Sequence, residues 1–369
     1  MTLDERAAGS LSEIRAIIGR RSGEPASALT AFGLLCASGA DLRAVIRDVP
    51  DLIRLVLRVD TVGFFWCDAA GRMTDAYVEQ PYFLSSDVLL SCQRYQEADP
   101  RNWPSFTENV LAGAVTGYLL PYQTPAFYAS DHYAFTYERI GARHILDAVV
   151  HDGTPLGCFL FMRSAICGPF SNQDVEAAST IAALAARAFQ RQALAAPSTR
   201  LFHAGLVVLD QHDKVVFRNL RAHQSLWMLA RAHGPPMHEA LTETFDSLLT
   251  RLCSDLVRDT RNAKAGITIP INNLWGDFVI QTEFDEAGAV AIRFLQHRPL
   301  AAHLASELVK LNLPPRRLTV CWLALLGAPR KEIARLAEMS VDTVGEHLNA
   351  LFAQFGVSST QELAARFLA

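Results

Sequence analysis

The sequence predicts a multidomain chain in which two α+β domains are followed by an all-α domain of four helices. The chain has 369 residues, which is too long for one ordinary domain. Half of its residues are hydrophobic and a fifth are charged, a composition typical of globular proteins. Helical and strand-like patterns alternate as helix–strands–helix, then strands–helices–strands, then helices alone, which indicates this domain order.

The first predicted domain spans residues 1–195 and begins with helices. Apolar residues recur at three-to-four spacing through 41–60, and Pro50 is expected to break or kink that helix. Residues 61–80 then predict two strands around a turn at Gly71.

A second strand pair is predicted much later in the same domain. In residues 144–164, Asp152–Gly153 separates two β-rich runs, which is a strong hairpin signal. The helix that follows, within 169–194, has Ser171 as its expected N-cap and acidic residues in its first turn.

Residues 196–300 predict the second α+β domain. A short linker is expected at 195–200, and residues 205–219 then predict a strand, a turn and a second strand. The sequence is helical from there to about Asp259, and residues 266–300 predict three further strands. Residues 301–312 are expected to form a helical connector.

The last predicted unit, residues 313–369, reads as four short helices without a strand. Ser340 is the expected N-cap of its third helix and Gly356 the expected C-cap. The apolar residues of that helix recur at spacings of four, three and four: Val344, Leu348, Leu351 and Phe355. DNA-binding proteins use this arrangement of a helix, a tight turn and a second helix to place the second helix in the major groove.

The C-terminal unit resembles the LuxR/GerE-type helix-turn-helix of bacterial transcription regulators. The matching residues keep the mutual spacing of that family throughout: Lys331-Glu332-Ile333-Ala334, Leu336, Ser340, Thr343-Val344, His347-Leu348 and Phe355-Gly356-Val357. In that family the third helix reads DNA and the fourth often contributes to a dimer contact. The resemblance therefore implies a homodimer that binds promoter DNA.

This chain lacks several basic residues that are usual in the family. Gly345 stands where Lys is usual, Gln354 where a second basic residue is usual, and Thr360 where Arg is usual. Pro314 and Arg317 replace the usual Thr and Glu of the first helix. Each lost phosphate contact weakens sequence-independent affinity and lowers its salt dependence.

Enough basic and polar residues remain to predict DNA contacts. Residues 313–369 contain six basic and five acidic residues, and we expect Arg330, Lys331 and Arg335 to contact phosphates. Thr343, His347 and Asn349 would supply hydrogen bonds from the third helix. By the family match, Ser340 and Val344 belong to the same interface. The alternative is a degenerate module that contacts protein and not DNA, as acidic Asp342 and Glu346 suggest.

The two preceding domains also resemble known families. Residues 41–194 resemble a GAF domain, most closely in HDGTPLGCFLFMRSAICGPFSNQD at 151–174, and residues 200–298 resemble a PAS domain in GLVVLD, DKVVFRN and AIRFLQHRPL. Both folds commonly bind small molecules or dimerise. The resemblance implies a ligand-sensing role and leaves the ligand open.

An aromatic cluster marks the expected effector pocket. All eight tyrosines lie between Tyr77 and Tyr137, and aromatic walls with a few polar groups suit a drug-sized, partly aromatic ligand. Ordinary aromatic packing is the alternative. The candidate ligand-binding residues are Trp66, Tyr95, Asp99, Trp103, Tyr118, Tyr122 and Tyr128. Tyr95 with Asp99–Pro100 resembles a segment of acyl-homoserine-lactone receptors in which the Asp accepts an amide hydrogen, although Asp-Pro also suits a turn.

Other functional classes find little support in the sequence. We find no G-x-S-x-G, H-E-x-x-H, dinucleotide glycine loop or phosphate loop, so we expect neither an enzyme nor a bound cofactor. The histidines nearest to a cluster are His223, His233 and His238, and they fit a helix and loop better than a metal site. Seven widely spaced cysteines, a polar N-terminus and no long apolar run predict a cytoplasmic protein that does not span a membrane.

Overall fold

The protein combines two antiparallel sheets with helices, and its C-terminal part is all helical. A computed structural model describes residues 14, 16–18, 23–80, 86–98, 103–113, 115–189, 198–231 and 245–368. The elements up to the end of the first sheet are α1 (Gly23–Ala37), α2 (Leu42–Val45), α3 (Val49–Leu57), β1 (Thr61–Cys67), β2 (Met73–Val78), α4 (Ser86–Ala98), α5 (Phe106–Leu111), α6 (Pro125–Tyr128), α7 (Asp131–Thr136), β3 (His144–His151) and β4 (Pro155–Arg163).

The remaining elements form the second sheet, its helices and the C-terminal bundle. They are α8 (Asn172–Ala185), β5 (Ser198–Leu209), β6 (Val215–Arg218), α9 (Leu220–Ala230), α10 (Phe245–Ala263), β7 (Thr268–Asn273), β8 (Gly276–Phe284), β9 (Val290–Pro299), α11 (Leu300–Lys310), α12 (Pro315–Leu325), α13 (Arg330–Leu336), α14 (Val341–Phe355) and α15 (Thr360–Leu368).

The first sheet has four strands in the order β2-β1-β4-β3, and its two faces are covered by different helices. Because side chains alternate along a strand, Phe64 and Trp66 point to one face of β1 and Phe65 to the other. Phe64 packs edge-on against Phe159 of β4 at 4.6 Å, on the face that α8 covers. A Cβ atom at Gly157 would lie 2.6 Å from the ring of Phe64, so this close approach requires glycine.

The second sheet has five strands in the order β6-β5-β9-β8-β7, with α9 and α10 packed against one face. Both predicted strand groups are therefore present, as is the predicted break of the early helix, since α3 begins at Val49 with Pro50 in its first turn. One predicted boundary was wrong. Strand β5 begins at Ser198, inside the expected linker, because it pairs with the end of β9, and β9 in turn extends to Pro299.

One apolar core runs through the described residues, from Ile14 to Leu363. Helix α1 lies near its centre, with every residue from Ala26 to Cys36 buried. It packs against α3 and α8 on the side of the first sheet and against α11 and α12 on the side of the C-terminal bundle. The hydroxyl of Ser27 donates to the carbonyl of Leu313 at 2.7 Å and so joins α1 to the start of the bundle.

Candidate functional site

A cavity of about 140 Å³ lies over the face of the first sheet that α8 does not cover. The sheet contributes apolar and sulfur-containing side chains, including Phe65, Leu160 and Cys158. The cover comes from the segment between β2 and β3, through α4, α5 and α7. The cavity is smaller than the roughly 300 Å³ at which drug-sized pockets begin.

An aromatic cluster around Phe127 forms part of the cover. The indole of Trp103 stacks on Phe127 with ring centroids 4.5 Å apart and planes 9° apart, and Phe127 is fully buried. The imidazole of His132 stands edge-on to both rings, at 5.8 and 6.0 Å. Such tilted and offset ring pairs stabilise an assembly beyond the burial of their area. The cluster therefore holds the cover in place over the sheet.

Two side chains that line the cavity carry buried polar atoms without a hydrogen-bond partner among the described residues. They are Oδ1 of Asn109 and Nε2 of His132. The other amide atom of Asn109 lies 3.9 Å from Sγ of Cys158, and Nδ1 of His132 lies 3.2 Å from the hydroxyl of Thr136. Burial lowers the pKa of His132 to about 4, so its ring is neutral at pH 7.

Asp147 of β3 connects the cover to the sheet. It pairs with Leu160 across the strands, on the face that holds the cavity. Its Oδ1 accepts a hydrogen bond from the backbone N–H of Leu119 at 2.8 Å, and its backbone carbonyl accepts one from Gly117 at 2.9 Å. Burial raises the pKa of Asp147 to about 6, against the opposing effect of the Leu119 hydrogen bond.

A wider cleft of about 480 Å³ lies outside the cavity, and the two share one lining residue, His132. Arg94, Asp131 and Phe135 line the cleft, so it carries charged groups that the cavity lacks. Tyr95 also lines the cleft and stacks on the imidazole of His132 at 5.7 Å. His132 is therefore the side chain at which the cleft and the cavity meet.

The structure brings only some of the predicted ligand residues to these spaces. Trp103 lines the cavity and Tyr95 lines the cleft. Tyr118 packs against Tyr122, and Tyr128 donates its hydroxyl to the carbonyl of Arg143, all outside the residues that line either space. Asp99 lies outside the described residues.

The assignment of Trp66 to the pocket was wrong. Since Phe65 faces the cavity, the alternation of the strand turns Trp66 to the opposite face. There its ring packs edge-on against Trp275 at 5.5 Å, between the two sheets. Sequence reasoning also missed Asn109, His132 and Cys158. Isolated polar residues within an aromatic segment were the signal that could have identified the first two.

The C-terminal bundle has the predicted helices and caps. Residues 337–340 connect α13 to α14, and the hydroxyl of Ser340 accepts from the N–H of Thr343 at 3.0 Å at the start of α14. Gly356 ends the helix in the left-handed conformation, with φ of 64°. Val344, Leu348 and Leu351 of α14 are buried against the other helices of the bundle.

The structure places the candidate DNA-contact residues in different surroundings. Arg330, Lys331 and Asn349 are exposed, while Arg335 is exposed and paired with Glu332 on its own helix. Val344 is fully buried, which contradicts a DNA contact by its side chain. It belongs to the apolar stripe of α14, so the apolar spacing predicted the helix correctly, and the assignment of this side chain to a DNA interface was wrong.

His347 lies beside the first helix of the bundle. Burial and the charges of Arg317 and Arg316 lower the pKa of His347, against the opposing effect of Glu346. The two arginines lie at the start of α12, which packs against α14. Thr343 and His347 are one helical turn apart and share a side of α14. Four side chains thus form one surface, which we call the α12–α14 ridge: Arg316, Arg317, Thr343 and His347.

Within the described part of the chain, no three His, Cys, Asp or Glu side chains are grouped to hold a metal ion. His233 and His238 lie outside it. Over the same residues, every helix is too short or too polar to cross a membrane. Comparison with protein-family models and with curated proteins finds no match to this chain.

Proposed function

We propose that this protein is a ligand-responsive transcription regulator. A small molecule binds over the first sheet and changes how a homodimer binds promoter DNA through the C-terminal bundle, with GAF-like, PAS-like and LuxR-type helix-turn-helix domains in that order. The observation that carries the proposal is the α12–α14 ridge, in which α12 brings two arginines to a helix that is capped by Ser340 after a short turn. Arginine is well suited to phosphate, and Thr and His can hydrogen-bond base edges.

The ridge supplies positive charge that α14 itself lacks. Residues 341–354 contain no Lys or Arg, but Arg316 and Arg317 of α12 lie near His347. Arg330 and Lys331 add two exposed cations at the start of α13. Phosphate contacts from neighbouring helices position a reading helix in the groove. This distribution of charge supports DNA binding by a helix without basic residues of its own.

The body of the protein contacts the bundle at several points, which supports coupling between ligand and DNA. Helix α1 packs against both α11 and α12. The imidazole of His303 on α11 lies 2.7 Å from the carbonyl of Phe367 on α15. Coupling requires that the ligand favour one arrangement of these contacts over another.

The proposal is tested by titrating the full-length protein onto DNA fragments from its own genomic neighbourhood at several salt concentrations. We expect one fragment to bind with an affinity that falls steeply with salt. Lys331→Ala should weaken binding and lower the slope of log K against log salt by about one unit. Lys214→Ala, an exposed lysine of the β5–β6 turn, is the matched control and should leave both unchanged.

A second function is favoured by one observation. Asp342 and Glu346 are exposed on the side of α14 that faces away from its core, next to Val341, which is 44% exposed. Acidic groups there repel DNA, and an apolar residue beside them suits a protein partner. The alternative is a sensor that acts by protein contact through a bundle that does not bind DNA. Absence of binding to every fragment at about 50 mM salt, where phosphate contacts are strong, would establish this alternative.

A further inference from the structure

We propose that the cavity over the first sheet binds a neutral compound with a single aromatic ring and one hydroxyl group, such as phenol. This inference rests on the proposed ligand-sensing function and names the chemical class of its ligand. Four properties of the cavity support this inference. They are its volume, its uncharged lining, the two polar atoms without hydrogen-bond partners on its lining residues, and the one residue, His132, that it shares with the outer cleft.

The volume sets the size of the ligand. Dry apolar protein cavities of about 150 Å³ hold benzene. The cavity of about 140 Å³ therefore accommodates one six-membered ring, and a fused two-ring compound exceeds it. Aromatic side chains at its edge, such as Trp103 and Phe106, suit ring stacking.

The lining sets the charge of the ligand. Among the described residues that line the cavity, none is Lys, Arg, Asp or Glu. His132 is the one lining group that titrates near neutral pH, and its lowered pKa keeps it neutral. A carboxylate or an ammonium group would lose its hydration here without gaining a charged partner, which is strongly unfavourable. The cavity therefore selects a neutral ring over benzoate or benzylamine.

The unpartnered atoms set the polar group. Asn109 and His132 line the same small space, and each carries one buried polar atom without a hydrogen-bond partner among the described residues, Oδ1 and Nε2. A buried polar atom without a partner is costly, and a ligand that supplies the partner removes that cost. A hydroxyl both donates and accepts, so it can donate to Oδ1 of Asn109 and accept from Nε2 of His132 in the tautomer that carries its proton there.

His132 also provides the route of entry. It lines both the cavity and the charged outer cleft, and its ring is held by Thr136 on one side and by stacking with Tyr95 on the other. A rotation of this one side chain would connect the two spaces. The hydroxyl of Thr136 lies a further 3.4 Å from that of Ser91, which ties α7 to α4 across the entrance.

The test is calorimetric titration of the full-length protein, without DNA, with phenol, toluene, benzoate and 2-naphthol. Phenol and toluene have nearly the same shape, so their affinity ratio reports the hydroxyl contact net of the cost of removing the hydroxyl from water. We expect phenol to bind at least about fivefold more tightly than toluene, the factor that one added hydrogen bond supplies. Benzoate should not bind because it is charged, and 2-naphthol should not bind because it is too large.

Asn109→Leu is the matched variant, since leucine has a similar size and no polar atom. It should reduce the preference for phenol over toluene to within about twofold while toluene still binds. Cys92→Trp should fill the cavity and abolish binding of both compounds. Near-ultraviolet circular dichroism establishes that each variant is folded. If Asn109→Leu does not fold, the four ligands on the unaltered protein still decide the question.

The proposal is overturned if the unaltered protein binds neither phenol nor toluene, or if benzoate binds more tightly than phenol. It is also overturned if a folded Asn109→Leu variant keeps the full preference for phenol. Failure of DNA binding is a separate result, because these titrations contain no DNA. DNA binding without ring binding would reject the ligand class and leave the bundle's function intact.

Discussion

The side chain of Asp147 joins two segments that are distant in the sequence. It lies on β3 within a run of buried residues and holds the backbone of Leu119 over the sheet. Its second oxygen, Oδ2, has no hydrogen-bond partner among the described residues. A buried carboxyl with one free oxygen is more easily held as the neutral acid, which agrees with its raised pKa of about 6.

Asp147→Asn should stabilise the protein above pH 6. The folded state keeps the proton of Asp147 up to about pH 6, whereas the unfolded chain releases it near pH 4, so unfolding releases a proton between these values. The contribution of Asp147 to the free energy of unfolding therefore falls as pH rises from about 4 to about 6 and stays low above that. Asparagine is neutral throughout and should add about 1–3 kcal/mol at pH 7.

The measurement is denaturant unfolding of both proteins at several pH values from 4 to 8. His132 and His223 have pKa values lowered to about 4 by burial, so they raise stability over the same pH range and oppose Asp147. The difference between variant and unaltered protein removes their effect. A difference that is constant with pH would contradict a raised pKa for Asp147.

Gly345→Lys should strengthen DNA binding if α14 reads DNA. A Cβ atom at Gly345 meets no atom within 4 Å, so a longer side chain fits without disturbing the bundle. Lysine at this position would add one positive charge that can contact a phosphate. We expect the slope of log K against log salt to become steeper by about one unit.

Gly345→Gln is the matched control for this prediction. Glutamine and lysine have similar helix propensities, and both should stabilise α14 by about 0.5–1 kcal/mol relative to glycine. Only lysine adds charge. Equal salt slopes for the two variants would place Gly345 away from the phosphates.

Strands and capped helices were the elements that the sequence predicted best. The turn at Gly71, the hairpin at Asp152–Gly153 and the caps Ser171 and Ser340 each depend on local chemistry, and all are present. The face that a strand presents depends on what packs against it, which explains the error at Trp66. The cavity could not be predicted, because α4–α7 close it over the sheet by contacts between distant segments.

Helix α1 shows a further limit of periodic patterns. It is buried on all sides, so it lacks the single apolar stripe by which surface helices are recognised. Its sequence, GEPASALTAFGLLCA, is rich in small residues where neighbouring helices approach closely. A Cβ atom at Gly33 would lie 2.9 Å from Cγ2 of Ile14 and 3.1 Å from Cδ2 of Leu184. Helix α1, which joins the first sheet to the C-terminal bundle, therefore requires glycine at position 33.

Gly33→Val should destabilise the protein by about 1–3 kcal/mol, because the added atoms overpack α1 against Ile14 and Leu184. Gly345→Val is the matched control: the same substitution in another helix, with open space around it, should change stability by less than about 0.5 kcal/mol. Thermal or denaturant unfolding measures both. Equal stability of the two variants would show that α1 tolerates a looser fit than its contacts indicate.

Asp48 ties three distant parts of the molecule together. It lies between α2 and α3 and is 3% exposed. Its carboxylate contacts Arg298 at the end of β9 and lies 3.1 Å from Nε2 of His203 on β5. Burial alone would raise the pKa of Asp48, but His203 and Arg298 outweigh it and hold the pKa below its ordinary value. Burial lowers the pKa of His203 despite this contact, so Arg298 is the positive charge that balances Asp48 at pH 7.

Arg298→Met should therefore destabilise the whole molecule by about 3–5 kcal/mol at pH 7, because it leaves a buried carboxylate without its cation. In the unaltered protein the contribution of Asp48 is present above its unfolded pKa of about 4 and is lost as pH falls through the lower folded pKa. In the variant the pKa of Asp48 in the folded state should rise above 4, so stability is lost as pH increases instead.

The double variant Asp48→Leu/Arg298→Met should recover most of the loss, since it removes both charges together. Denaturant unfolding followed by tryptophan fluorescence measures all three proteins. If the double variant is no more stable than Arg298→Met alone, shape and not charge holds the α2–α3 segment against the second sheet.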